Sequence, residues 1–125
     1  MVEVICDTSF LIHIANNRIK NLATLDTEIG SIRFVVPDTV ITELQNLAER
    51  PDKKDAALST IQYIKPFKTV SLGGSFADEQ FVSLVKRRGG VIATMDRELK
   101  TRIKNSGGSV ISVSSNRIVL ESSKV

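Results

Sequence analysis

Short apolar runs alternate along the chain with stretches whose apolar residues recur every three or four positions, the pattern of strands and helices in turn. Val2 to Cys6 is the first run and reads as a strand. Phe10, Leu11 and Ile14 then predict a helix over Ser9 to Asn16, entered across Asp7-Thr8. A second helix is expected from Asn21 to Ile29, stopped by Gly30, and a strand from Arg33 to Val36. Pro37-Asp38-Thr39 is a helix-start signal ahead of Val40, Leu44, Leu47 and Ala48, because Asp and Thr oxygens accept from unpaired first-turn amides. Asp52 to Ile64 reads as a helix with Pro66 just past its end, and Thr69 to Leu72 as a short strand broken by Gly73-Gly74. Ser75 and Asp78 resemble a capping pair ahead of Ala77, Phe81, Leu84 and Val85, in a helix that Gly89-Gly90 ends. Val91 to Thr94 is a strand, Asp96 to Lys104 a helix stopped by Gly107-Gly108, Val110 to Val113 a strand, and Arg117 to Leu120 an edge strand.

Strands alternating with helices place the chain in the α/β class, with an open, mainly parallel central sheet flanked by helices on both faces. Such sheets bind ligands beyond the carboxyl ends of their strands, where strand order reverses. Asp7 and Asp96 occupy strand ends of that kind. The 125 residues fit one compact domain, read as residues 1–125, and contain no internal repeat, linker or low-complexity segment.

The inventory of reactive groups is narrow: one His, one Cys, one Tyr and no Trp. Cys6 has no intramolecular disulfide partner and reads as a buried strand thiol, while His13, near core positions of the first helix, reads as a packing or surface residue. No leader and no long apolar segment is visible, so a soluble cytoplasmic protein with no membrane contact is expected. Any chemistry falls to the acids. Asp7, Glu43, Asp78 and Asp96 each lie at or near a helix start. Singly they have plain readings: Asp7 and Asp96 as N-caps, Asp78 as a first-turn charge favoured by the helix dipole, and Glu43 as an exposed helix residue. Together they conflict, since two carboxylates 4 Å apart repel by roughly 4 kcal/mol at an effective dielectric near 20. A divalent cation removes that conflict, and oxygen-only donors suit Mg²⁺ or Mn²⁺ rather than zinc. The formal charge is +3, and with the four acids neutralised the rest of the molecule carries +7, a surface that accepts a polyanion.

Four segments, in order, carry a family resemblance: Val-Ile-Cys-Asp7-Thr8-Ser9-Phe-Leu, Pro37-Asp38-Thr-Val-Ile-Thr-Glu43-Leu, Ala77-Asp78-Glu79-Gln and Val-Ile-Ala-Thr94-Met95-Asp96-Arg97-Glu-Leu. They resemble the PIN-domain nucleases, in particular small archaeal PIN proteins that include VapC-type toxins and relatives of the nuclease that trims precursor ribosomal RNA. The resemblance implies a three-layer PIN sandwich and a Mg²⁺- or Mn²⁺-dependent endoribonuclease acting on single-stranded RNA, a ribosomal precursor or tRNA among the candidates. It puts Asp7, Glu43, Asp78 and Asp96 at the catalytic and metal-binding positions and Thr8 and Thr94 at supporting hydroxyl positions. It also implies a homodimer and either an antitoxin or a ribosome-assembly partner. One departure is Met95, where many relatives carry Asn.

RNA contact is expected from Arg97 and Lys100 after the last acid, with Arg102 and Lys104 nearby, and from Lys86, Arg87 and Arg88; the plain reading is that such residues complement helix C-termini. Glu79 reads as a surface charge beside Asp78. A non-catalytic RNA-binding or assembly module on the same scaffold is the alternative. A receiver-like phosphoacceptor would require paired acids after the first strand, where Cys6 and Thr8 flank Asp7.

Overall fold

Val2–Cys6 forms β1, the central strand of a parallel sheet, and its buried Val4 and Cys6 alternate with exposed Glu3 and partly exposed Ile5 on the other face. The structure, a computed structural model, describes residues 2–20, 26–27, 30–72 and 77–123. After β1 come α1 (Thr8–Asn16), β2 (Asp26–Thr27), β3 (Gly30–Pro37), α2 (Asp38–Leu47), α3 (Lys54–Tyr63) and β4 (Lys68–Val70). The second half holds α4 (Ala77–Arg88), β5 (Val91–Ala93), α5 (Arg97–Asn105), β6 (Ser109–Ser114) and β7 (Arg117–Glu121).

The sheet runs β2-β3-β1-β5-β6-β7, and β4 also pairs with β3. Strands β4, β3, β1, β5 and β6 are mutually parallel, while β2 and β7 add antiparallel pairings to β3 and β6. Helices α1, α2 and α3 pack on one another and α4 packs on α5, making the three layers of an α/β sandwich. All three residues of β5 are buried, as expected of a strand covered on both faces. The core gathers Phe10, Leu11, Leu44, Phe81, Leu99 and Ile111 around these strands. Among the described residues no helix is long and apolar enough to cross a membrane.

This order has a functional consequence. From β1 the chain steps outward to β3 and β4, then crosses to β5 on the other side of β1. Strand order therefore reverses between β1 and β5, and the crevice at their carboxyl ends is the switch point of the sheet.

One expected element is overturned. Within the helix expected from Asn21 to Ile29, Asp26–Thr27 is instead a strand paired antiparallel with Gly30 and Ser31, and Gly30 opens β3 rather than closing a helix. The helical spacing of Leu22, Leu25 and Ile29 is a weak local preference, and the backbone edge offered by β3 outweighs it. The rest of that stretch, with Gly73-Gly74 and Ser75, lies outside the described residues.

Candidate active site

Asp7 is the first residue past β1, and its side chain caps α1: Oδ1 accepts from the Phe10 N–H at 2.9 Å and from the Ser9 hydroxyl at 2.8 Å. Its other oxygen, Oδ2, accepts from the Thr94 hydroxyl. The backbone also ties Asp7 to β5, its N–H donating to the Ala93 carbonyl at 2.9 Å. At 7% exposure the carboxyl is driven up from its ordinary value chiefly by burial, with Asp78 adding to the rise and the donors Thr94, Phe10 and Ser9 opposing it.

Asp96 repeats the construction one strand over. Its Oδ1 caps α5, accepting from the Glu98 N–H at 2.9 Å and the Leu99 N–H at 3.1 Å. Its own N–H donates to Thr94 Oγ1 at 3.0 Å. One hydroxyl thus joins the Asp7 carboxylate to the Asp96 backbone across the switch point. Ser9 makes a parallel tie, its hydroxyl accepting the Met95 N–H at 3.1 Å while donating to Asp7. The caps consume Oδ1 of each acid, and among the described residues Oδ2 of Asp96 receives no hydrogen bond. Capping therefore leaves one Asp96 oxygen to a ligand, while the second Asp7 oxygen is shared with the Thr94 hydroxyl.

Asp78, exposed in the first turn of α4, has its carboxyl raised by partial burial first and by the Asp96 charge second; Glu79 and Glu98 add to the rise and Arg102 opposes it. Asp78 is thereby coupled electrostatically to both capping acids. Glu43 is exposed in the second turn of α2, which leaves the carboxyl end of β3 beside β1. The start of α2 is held near α4 by Thr39, whose hydroxyl donates to Gln80 Oε1 at 3.4 Å. Among the described residues no hydrogen bond or ion pair joins Glu43 to the other three acids.

The family model of a PIN-like domain matches residues 4–116. The chain belongs to the PIN-like domain family. The solved structure of the PIN domain endonuclease Utp24 shares the fold, with a TM-score of 0.79 and 24% identity over 96% of this chain and 91% of that one. Among curated proteins none matches significantly.

In this PIN-like domain the donor set is all oxygen. Among the described residues no three His, Cys, Asp or Glu side chains lie close enough together to hold a metal ion as positioned. A Mg²⁺ ion asks less of the protein, since one or two carboxylates with retained waters suffice. Two observations fit such an ion: the Asp78 charge that helps raise Asp7 together with the Asp96 charge that helps raise Asp78, and the buried Thr8 hydroxyl next to Asp7, which has no hydrogen-bond partner among the described residues.

The cations divide into distinct groups. Arg97 is exposed directly beside Asp96. Lys100 and Lys104 are half-buried and paired with Glu121 at 3.4 and 2.8 Å, and Arg102 pairs with Glu79 at 2.8 Å. Lys86, Arg87 and Arg88 end α4, roughly 15 Å along the helix from Asp78 and at the amino ends of the strands. Met95 packs its side chain against the core, and the N–H that follows Thr94 is held by Ser9 rather than by a side-chain amide. Sequence reasoning missed Ser9 and Gln80 as parts of this region. A hydroxyl two residues after a strand-end Asp was the available signal for Ser9; Gln80, whose buried Nε2 has no partner among the described residues, offered none.

Proposed function

We propose that this PIN-like domain, spanning residues 1–125, is a metal-dependent endoribonuclease that hydrolyses phosphodiester bonds of single-stranded RNA, in ribosomal RNA processing or as a VapC-type toxin. The observation that carries this reading is the Thr94 hydroxyl shared between Asp7 and Asp96 at the sheet's switch point, with the Asp78 charge within reach of both. The likeness of fold to a PIN domain endonuclease supports it.

Asp7 and Asp96 hold Mg²⁺ or Mn²⁺ in this reading. The bound ion supplies an acidified water and positive charge for the departing oxygen. Asp7 is fixed in position by three donors before substrate arrives, so little reorganisation is left for the reaction itself. Thr94 and Ser9 are positioning residues that set the spacing of the two helix starts. Thr8, whose buried hydroxyl has no partner among the described residues, would hydrogen-bond a water carried by the ion. Glu43 and Asp78, exposed at the same edge, would hold a second ion or its waters. Arg97 binds the phosphate next to the scissile bond.

The test is cleavage of labelled single-stranded RNA in Mn²⁺, Mg²⁺ or EDTA by the native chain, Asp7→Asn and Asp96→Asn. Metal-dependent cutting lost in both variants is expected. Metal-independent cutting, or full activity in the double variant, refutes the assignment. RNA binding without cutting under any metal would favour the non-catalytic assembly module.

A further inference from the structure

The amino edge of the sheet, away from the carboxylates, gathers a second set of charges. Glu3 on β1 receives Lys68 at 2.7 Å and Arg33 at 3.8 Å. Arg88, at the end of α4, lines the same hollow as Glu3 and its charge also reaches that carboxylate. Three cations around one acid leave a net charge of +2, and Lys86 and Arg87 on the same turn of α4 raise it to +4. Arg33, Lys68, Arg87 and Arg88 are all exposed. Opposite charge of this kind attracts a polyanion, and a single Glu3 does not neutralise it.

The surface around these cations is hollowed. A cavity of about 410 Å³ lies between Arg33 and Lys68, lined by Pro66 and the half-buried rings of Phe34 and Phe67, whose centroids are 6.0 Å apart. A hollow of about 250 Å³ separates Glu3 from Arg88, and another of about 250 Å³ lies between Ser71, Arg87 and Arg88. Arg88 borders both smaller hollows, and the Lys68–Glu3 ion pair joins the larger cavity to the hollow at Glu3, so the three form a belt from β4 to the end of α4. Cations flanking partly exposed aromatic rings are what an unpaired strand uses, because its bases have free faces to stack while a duplex buries them.

We propose that this belt is a second RNA-binding site, gripping a single strand away from the cleavage centre. Phosphates pair with Arg33, Lys68, Arg87 and Arg88, and one unstacked base enters the hollow beside Phe34 and Phe67. Glu3 is the internal competitor that the phosphates displace. Asp7 lies four positions after Glu3, about 13 Å at strand rise, so one strand can occupy both sites. The choice of RNA over other polyanions rests on the nuclease reading.

Anisotropy of a labelled single-stranded RNA, with the full chain in EDTA so that nothing is cut, tests the site. Combining Arg33→Ala, Lys68→Ala and Arg88→Ala should weaken binding on the order of tenfold and reduce the salt slope by about 2, three phosphate contacts at roughly 0.7 each. Glu3→Gln should tighten binding several-fold, a gain that damage to the fold would not produce. Unchanged affinity and slope in the triple variant, or weaker binding by Glu3→Gln, overturns the site and leaves the belt to an acidic protein partner. Should the triple variant fail to fold, Glu3→Gln and Arg87→Ala decide alone. Weakened binding with no cleavage by the native chain would remove the nuclease reading and keep this one. Cleavage with unchanged binding would do the reverse.

Discussion

Thr94 donates its hydroxyl proton to Asp7, 87 positions earlier in the chain, and the same oxygen accepts the N–H of Asp96 at 3.0 Å. One side chain therefore sets the relative placement of two acids that belong to different strand-helix turns. Thr94→Val keeps the shape and removes the hydroxyl, leaving a buried Asp7 oxygen without its donor at a cost of about 1–3 kcal/mol. RNA cleavage by Thr94→Val should fall on the order of tenfold or more, while Thr94→Ser keeps most of the activity. Equal loss in both variants would assign Thr94 to packing alone.

Burial works against a charged Asp7, and the neighbouring Asp78 adds repulsion. Asp7→Asn should therefore melt no lower than the native chain at pH 7 without added metal, since Asn also caps a helix. Mn²⁺ or Mg²⁺ should raise the Tm of the native chain and leave that of Asp7→Asn nearly unchanged, because only the native site gains by binding. Scanning calorimetry with and without metal reads both effects.

Glu121 on β7 is held by Lys104 at 2.8 Å and Lys100 at 3.4 Å and accepts the Ser112 hydroxyl at 3.2 Å. The Lys104 hydrogen bond, chief among these influences, holds its carboxyl below the ordinary glutamate range. A depressed acid stabilises the fold above its unfolded pKa and loses that contribution as pH falls through the folded value. Glu121→Gln should cost about 1 kcal/mol or less at pH 7, with the difference from the native chain vanishing in acid below the glutamate range. Urea midpoints at neutral and acid pH test the sign.

Gly108 precedes β6 where α4 and α5 converge. A Cβ there would lie 2.6 Å from Val85 Cγ1 and 2.9 Å from Ile103 Cγ2, both fixed core methyls. Gly108→Ala should destabilise by about 1–3 kcal/mol through overpacking, seen as a lowered Tm with cleavage per folded molecule retained.

Much of this was readable in advance where local rules and tertiary structure agree. Val2 to Cys6 is a short apolar run that reads as a strand, and Asp7 and Asp96 each stand between such a run and a helical repeat, so the cap and the strand end coincide in sequence. The stretch from Asn21 to Ile29 was misread because the partner that makes Asp26–Thr27 a strand comes from β3, and the spacing of the segment's own residues holds no record of it. The basic triplet Lys86-Arg87-Arg88 follows an acid-bearing helix in sequence, yet the length of α4 carries it to the opposite edge of the sheet.

Outside the stretch from Asn21 to Ile29, the order of strands and helices, the family and the four available acids are all legible in the residues themselves, because burial periodicity and capping act over a few positions. It takes the folded chain to bring Asp7 and Asp96 onto Thr94, to couple Asp78 to both while Glu43 makes no bond to them among the described residues, and to set Arg33, Lys68 and Arg88 around Glu3. Those relationships are set by strand order and helix length, which bring together residues dozens of positions apart, and no local pattern of polar and apolar residues encodes a distance of that kind.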